Sequence, residues 1–535
     1  MNQLFGTCIR VQGRSYGFVL LVFGIMAAFA IFWSWPFEVA EIGGGPSLLI
    51  YLILILGVGI PVILVEFVLG FKSKSVFPNS LKLINSKLEF FGWFGLVNAF
   101  WLFIGLSAIL SWCAGFAYYS LTSFYPLTNW LNPLGGSFDF VNFFFLFSHP
   151  LMPVVGLAII WVSIFLILLK TSWASRERRI AFKILLPALA IVLFVIFVLT
   201  VPLSGGINPG LNFYLGFSPA VFLGGSSWRT LITVMFFNLG AGLGILGFYS
   251  GKIPEGGKYL TSYSIIIPLL GTGLIFLGGM VFFTMNGGSG LINLLGSILP
   301  IGVLGFPAVP FLGWSAGFAV MERVMGPIVS KVLVFLFYTL IFIVGVLGLS
   351  FIIEPIKETL ENKFSLSKRK FLAAFVASGF LASIPFSLTS MFPWGYYLTS
   401  LSYWWVVGFG LTSIILVELM AVGWIWGADN AIGYINSSSQ LKVPKWFKWI
   451  IKLVAPSICI IALILGIYDT FNGYVSYSWG LLNPLLLFWQ MFSPWYGSLN
   501  FVFLFLALVW LASSLVIAFI LTRIRVEEKS GGENA

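Results

Sequence analysis

Apolar runs near the ~20 residues needed to cross a bilayer recur along the chain at about 16–37, 47–70, 90–122, 152–170, 183–203, 229–250, 260–285, 329–359, 370–391, 398–427, 448–468 and 498–523. The pattern predicts an all-α polytopic membrane protein with twelve transmembrane helices. The polar segments between the runs alternate in charge: of the 28 Lys and Arg residues, only Arg229, Arg323 and Lys331 fall on one side of the resulting topology. That asymmetry predicts a multi-pass plasma-membrane protein with both termini in the cytoplasm. The composition agrees, with 59% hydrophobic and 8% charged residues and a mean hydropathy of +1.04. A net charge of +11 suggests nucleic acid in a soluble chain, but here the charge reports topology, and no nucleic-acid partner is expected.

Two runs are interrupted. The stretch from Gly24 to Gly70 starts as an apolar helix and passes through Trp35-Pro36 into Glu38, Glu41 and Gly43-Gly44-Gly45. Proline lacks a backbone donor and clashes with the preceding turn, so the first span is expected to break within the bilayer. Irregular backbone at that depth survives where it is buried in protein or lines a cavity, which marks a binding site. The sixth span carries Gly240, Gly242, Gly244 and Gly247 after Phe236-Phe237-Asn238-Leu239, each glycine costing about 1 kcal/mol of helix stability. Close helix packing is the competing use of such glycines. Interruptions five helices apart predict an inverted repeat within a single domain over 1–535: 16–203 and 229–427, followed by two additional helices in 448–523 and a polar tail over 524–535. Between spans seven and eight, the segment 286–328, with Pro300, Pro307 and Pro310, reads equally as a lid dipping toward the membrane or as a loop packed on the bundle.

Catalytic chemistry finds no purchase. Cys8, Cys113 and Cys459 are far apart and His149 is the lone histidine, so neither a disulfide framework nor a metal cluster is expected. No nucleophile triad or phosphate loop is visible, and the chain is read as a non-enzyme without cofactors beyond a coupling Na+ or H+. Arg10 and Arg14 before the first run also fit a signal peptide, but the apolar run continues through Phe37, which favours a span.

Trp35-Pro36, Ala40-Glu41, Gly43-Gly44-Gly45, Gly59-Ile60-Pro61, Glu66 and Gly70, with Ser111-Trp112, Phe236-Phe237, Pro355, Glu418-Leu419 and Trp426-Gly427-Ala428-Asp429, resemble the neurotransmitter:sodium symporters of the LeuT fold. The resemblance implies a secondary transporter with broken helices 1 and 6. Its substrate pocket falls on Ile25, Met26, Phe29 and Ala30 of span one, Leu102 and Leu106 of span three, Phe237, Asn238, Gly240 and Leu243 of span six, and Gly348 and Ile352 of span eight. The family's ion ligands map to Gly24, Ala27, Asn238 and Val344, but its side-chain oxygens are replaced: Ile31 and the run near Leu270 stand where it has amides, Leu347 and Gly348 where it has hydroxyls, with Ser350 close by. Its outer charged gate maps to Ser34 and Tyr403, so that ion pair is missing; Arg10 with Glu361 is the candidate inner pair.

Among intramembrane polar groups, Asn238 either holds unwound backbone or contacts solute or ion. Glu66 and Glu418 either satisfy freed backbone amides or exchange a proton, since a charge at that depth is costly. Glu38 and Glu41 are expected near the outer surface, capping backbone, and Glu354 at an inner gate or kink. The partners expected are the bilayer and a small amino-acid-like or apolar solute, for a monomer or a homodimer. Sodium coupling, proton coupling, uncoupled exchange, and a non-transporting sensor or scaffold all remain open at this stage.

Overall fold

The computed structural model describes residues 29–122, 151–170, 176–201, 208–217, 219–253, 258–287, 308–364, 368–388, 398–399, 402–471 and 499–524. Among them the regular structure is helical, without a strand. Among the described residues nine helices are long and apolar enough to cross a membrane, and Ala507–Arg523 is a shorter apolar helix. The first span is described only from Phe29 outward, and the sixth is split in two.

The helices that position the site are α1 (Trp35–Ile42), α2 (Gly45–Ser73), α3 (Glu89–Leu121), α4 (Leu151–Lys170), α5 (Arg176–Thr200), α6 (Gly225–Leu239), α7 (Ile245–Ser250), α8 (Leu260–Asn286), α9 (Ala308–Met325), α10 (Pro327–Phe364), α11 (Lys368–Ser387), α12 (Tyr403–Ile425), α13 (Ala428–Ser438), α14 (Phe447–Thr470) and α15 (Leu499–Arg523). α3 is apolar on all sides, as a helix at the centre of a bundle must be, and 89% of its most apolar window is buried. α10 packs along it in antiparallel register: a Cβ at Gly345 would lie 2.6 Å from Leu110 Cδ1. Stepping one turn at a time from that contact puts Leu106 and Leu102 on the same seam as Gly348 and Ile352, all buried. Val155, Ile159, Val162 and Leu166 of α4, and Ile184, Ile191, Phe194 and Val198 of α5, are exposed at helical spacing. These apolar stripes face the position of lipid tails.

At three prolines the helix widens just before the ring. The π-helical segments Ala30–Ser34, Ile55–Gly59 and Ile450–Val454 each end two residues before a proline, Pro36, Pro61 and Pro456. Proline cannot donate to the carbonyl four residues back and crowds it, and a wide turn relieves both problems. At two of the three sites the stranded carbonyl is taken by an indole: Trp314 Nε1 donates to Phe32 O at 2.9 Å, and Trp424 Nε1 to Lys452 O at 3.0 Å. From Phe29 to Ile42 the first span is therefore helical straight through Trp35-Pro36. Gly43 and Gly44, at φ +118° and +84°, make the turn into α2.

Trp314 belongs to α9, inside the long segment expected between spans seven and eight. Its Phe311, Trp314 and Phe318 are buried among Phe32, Phe337 and Tyr338, so this part of the segment is a helix inserted into the bundle.

Candidate functional site

The backbone of the sixth span leaves helical geometry between α6 and α7. Gly240, Gly242 and Gly244 adopt φ of +63°, +74° and +68°, a region costly for residues with a Cβ. The turn frees amides in the middle of the bundle. Glu66 of α2 is buried beneath it, and its Oε1 accepts from the Gly242 N–H in a short hydrogen bond. Glu418 of α12 is buried as well, and neither of its oxygens nor Glu66 Oε2 has a hydrogen-bond partner among the described residues.

Gly70 serves the other use of glycine, opposite Gly247. A Cβ at Gly70 would overlap the Gly247 carbonyl, so α2 and α7 cross backbone to backbone, and Ser250 Oγ donates to Phe67 O at 2.9 Å.

Asn238 sits at the last turn of α6 before the break, 2% exposed. Its Oδ1 accepts from Ser34 Oγ at 2.9 Å, and its Nδ2 donates to Tyr51 OH at 3.2 Å. The amide thus joins the first, second and sixth spans. Ile31, one turn inward of Ser34, packs on α8, where a Cβ at Gly278 would meet Ile31 Cγ2 at 2.5 Å. The α8 residue opposite Ile31 is Gly278. Leu270, expected there from sequence, is 52% exposed on the outside of the bundle; it lies about two turns away along the helix, which corrects the sequence-based placement. Val344 is fully buried on α10, and the Ser350 hydroxyl further along that helix donates to Leu347 O at 2.6 Å. Gly24, Ile25, Met26, Ala27 and Arg10 lie outside the described residues, and the break expected from Pro36 is not found at Trp35-Pro36, where the π-helical turn carries the helix through. Phe29, Ala30, Phe237, Gly240 and Leu243 are all buried.

Above Phe237 the rings close. Trp33, Phe237 and Tyr403 meet edge to face, with centroid separations of 4.8 Å for Trp33–Tyr403, 5.6 Å for Phe237–Tyr403 and 6.1 Å for Trp33–Phe237. Ser34 and Tyr403, mapped together as a vestigial gate, go to different partners: Ser34 to Asn238, and Tyr403 OH to Glu38 Oε1 at 3.1 Å. Glu38 was expected near the surface as a backbone cap. It is 1% exposed and held by a side chain instead, because α12 lies over it.

At the opposite end, Arg178 Nη1 of α5 pairs with Glu354 Oε2 of α10 at 2.6 Å, both buried. The Tyr249 hydroxyl of α7 lies 3.3 Å from the same oxygen and 3.1 Å from Phe351 O, and can donate to one at a time. Glu361, expected to pair with Arg10, accepts from Lys357 Nζ one turn back at 2.8 Å.

Sequence reading missed Tyr51, Arg178, Tyr249 and Trp314. Arg178 is hidden in a basic run that serves topology, and nothing in the sequence marks it out. Asp469 carried a signal: it is the lone acidic residue between Asp429 and Glu527, at the end of an apolar run.

The profile described as "Sodium:neurotransmitter symporter family" matches residues 12–134 and 149–522. An uncharacterised sodium-dependent transporter of Methanocaldococcus jannaschii is 25% identical over 473 residues, covering 86% of this chain and 91% of its own. The sodium-dependent nutrient amino acid transporter 1 of Drosophila pseudoobscura pseudoobscura is 21% identical over 498 residues, covering 84% and 74%. The crystal structure of MhsT in complex with L-phenylalanine superposes with a TM-score of 0.68 at 19% identity, over 84% of this chain and 98% of that one. The chain is a multi-pass membrane transporter of the LeuT fold and belongs to the sodium:neurotransmitter symporter family.

Proposed function

We propose that the chain carries a small amino-acid-like or apolar organic solute by alternating access, bound beside the glycine turn of the sixth span. The observation that supports this most directly is the turn at Gly240–Gly244, fixed by Glu66 and covered by Trp33, Phe237 and Tyr403. Unwound backbone beside a closed aromatic lid offers amides and carbonyls to a zwitterionic head group. Buried Leu102, Leu106 and Ile352 suit an apolar side chain. The amino-acid names of the MhsT complex and the Drosophila relative point to the same solute class.

The coupling ion is the point at which we part from the family. Alkali cations need hard oxygen ligands. Ile31 supplies only methyl groups and fills the space against Gly278, while Asn238 is engaged by Ser34 and Tyr51. These residues do not fit a sodium ion at that position. Glu66 and Glu418, carboxyl groups buried at membrane depth where a charge is costly, are the groups we put forward as proton carriers instead. The basic asymmetry of the loops supports a plasma-membrane orientation with both termini cytoplasmic.

The test uses the purified full chain. Thermal shifts against the common L-amino acids, in sodium chloride and in choline chloride, identify the solute; counterflow and gradient-driven uptake in proteoliposomes follow. The expected result is solute binding that survives replacement of sodium, with accumulation driven by a pH gradient. Accumulation driven by a sodium gradient alone overturns the coupling assignment. Binding without flux across sealed vesicles favours a sensor or scaffold.

A further inference from the structure

The connection between α2 and α3 sets one aromatic ring against the glycine turn. Phe77 opens the short helix Phe77–Lys82, with Pro78 as its second residue, and is 3% exposed although it lies in a loop. Three glycines make room for this insertion. A Cβ at Gly92 of α3 would overlap Pro78 Cα, so the loop backbone lies directly on that helix. One turn further on, a Cβ at Gly95 would sit 2.7 Å from Phe77 Cε1, at the edge of the ring. At the base of the ring, a Cβ at Gly244, whose φ is +68°, would overlap Phe77 Cγ. The loop is braced on its own account: Ser73 Oγ and Ser80 Oγ share a hydrogen bond at 2.7 Å, and the Lys74 N–H donates to Gly70 O at 2.8 Å.

The ring therefore spans the interval between the sixth-span turn and α3. Glycines bring no side chains with which to fix their own conformation, so the turn takes its shape from what touches it. At Gly242 the grip comes from Glu66 on the amide and from α12, whose Leu411 O lies 2.8 Å from a Cβ built there. At Gly244, directly before α7, the three atoms nearest to such a Cβ all belong to Phe77. Leu102, on the wall of the solute pocket, is buried on the same face of α3 as Gly95, about two turns further along. The separation that Phe77 imposes between Gly244 and α3 is thus carried into the separation of two walls of that pocket, because a close-packed interior transmits small changes in volume.

We propose that Phe77 is a positioning residue for solute binding: its ring holds the glycine turn at a fixed distance from α3 and so sets the fit of the solute between them. It touches no solute itself and acts through Gly244. This role rests on the reading that solute binds beside the turn, but hydrogen exchange reports on the turn without any solute, so the two fail separately.

The experiment compares the purified full chain with Phe77→Leu, Gly95→Ala and the double variant. Leucine keeps the atoms that meet Gly244 and loses the ring edge that meets α3, while alanine at 95 adds a methyl where that edge lies, so the double variant exchanges one volume for the other. Hydrogen–deuterium exchange is read by mass spectrometry in a peptide spanning the turn and in one from α5 as control, and binding of L-phenylalanine is measured by equilibrium dialysis. Each single variant is expected to raise exchange in the turn about tenfold while α5 keeps the parent rate, and to weaken L-phenylalanine binding about tenfold. The double variant should lie closer to the parent than either single in both measurements. If Gly95→Ala does not fold, Phe77→Leu decides. Turn exchange at the parent rate in the folded singles overturns the proposal, and so does equal acceleration in α5, which would mean general loosening. L-phenylalanine bound by the singles as tightly as by the parent overturns it as well, since a ring that only fills space changes stability and not affinity. A parent that binds no L-phenylalanine counts against the solute reading, and the exchange rates then decide whether Phe77 holds the turn.

Discussion

Ile31 and Gly278 occupy each other's space: the isoleucine methyl lies where a side chain at 278 would begin, at 2.5 Å from an ideal Cβ. The contact closes one of the positions at which the family resemblance places an ion, and it makes a packing prediction independent of transport. Gly278→Ala should destabilise the protein by about 1–3 kcal/mol through overpacking, and Ile31→Ala in the same chain should recover most of that loss. Thermal unfolding in detergent reads both. Additive losses in the double variant would show that the residues do not share the space.

A related experiment asks for a gain. Ile31→Asn with Gly278→Asn places two amide oxygens in the space that the Ile31 side chain alone now fills. If loss of ligands is what excludes sodium, the double variant should acquire a sodium-dependent rise in melting temperature that the parent lacks. A tenfold excess of ligand over its Kd contributes only about 1.4 kcal/mol, so sodium should be titrated well beyond that against choline at constant ionic strength. A parent chain that is itself stabilised by sodium alone would remove the premise.

Much of the architecture was legible because it depends on local composition. Apolar runs of membrane length marked the spans, and glycines at 240, 242 and 244 marked the sixth-span turn because only glycine adopts those φ values without strain. What sequence could not supply was register within a uniformly apolar helix. Along α8 the outward Leu270 and the inward Gly278 lie in equally apolar surroundings, so nothing distinguishes the face that meets Ile31. Long-range polar partners were hidden for a similar reason. Ser34 and Asn238 are 204 residues apart and Arg178 and Glu354 are 176 apart, and each alone reads as an ordinary side chain. Glu38 was misplaced because the sequence around it reads as a short helix running into the turn at Gly43-Gly44, while its partner in space, Tyr403, is 365 residues away.

The Arg178–Glu354 pair at the opposite end predicts a non-additive cycle. Removing one partner leaves a buried, uncompensated charge, a loss on the order of 3–5 kcal/mol. Arg178→Met and Glu354→Gln should each lower the unfolding temperature strongly, while the double variant should lie closer to the parent than either. Tyr249→Phe should cost less, because the carboxylate keeps its guanidinium. A double variant as damaged as the sum of the singles would show that the two side chains act independently.

The proline-freed carbonyl of Phe32 gives the last prediction. Trp314→Phe keeps the ring among Phe32, Phe282 and Phe337 but deletes the N–H, leaving a buried carbonyl unpaired at a cost of about 1–3 kcal/mol. Trp424→Phe removes the equivalent indole bond to Lys452 O, yet Trp424 is 60% exposed, so its loss should be well under about 1 kcal/mol in a setting where other partners can reach the carbonyl. Pro36→Ala restores a backbone donor to the first span and offers Phe32 O an internal partner. In that background Trp314→Phe should cost less than it does in the parent, and the difference, measured by thermal unfolding, is the coupling between the proline and the indole. If Trp314→Phe is equally damaging with and without Pro36, the indole acts through packing alone, and its hydrogen bond does not compensate the proline.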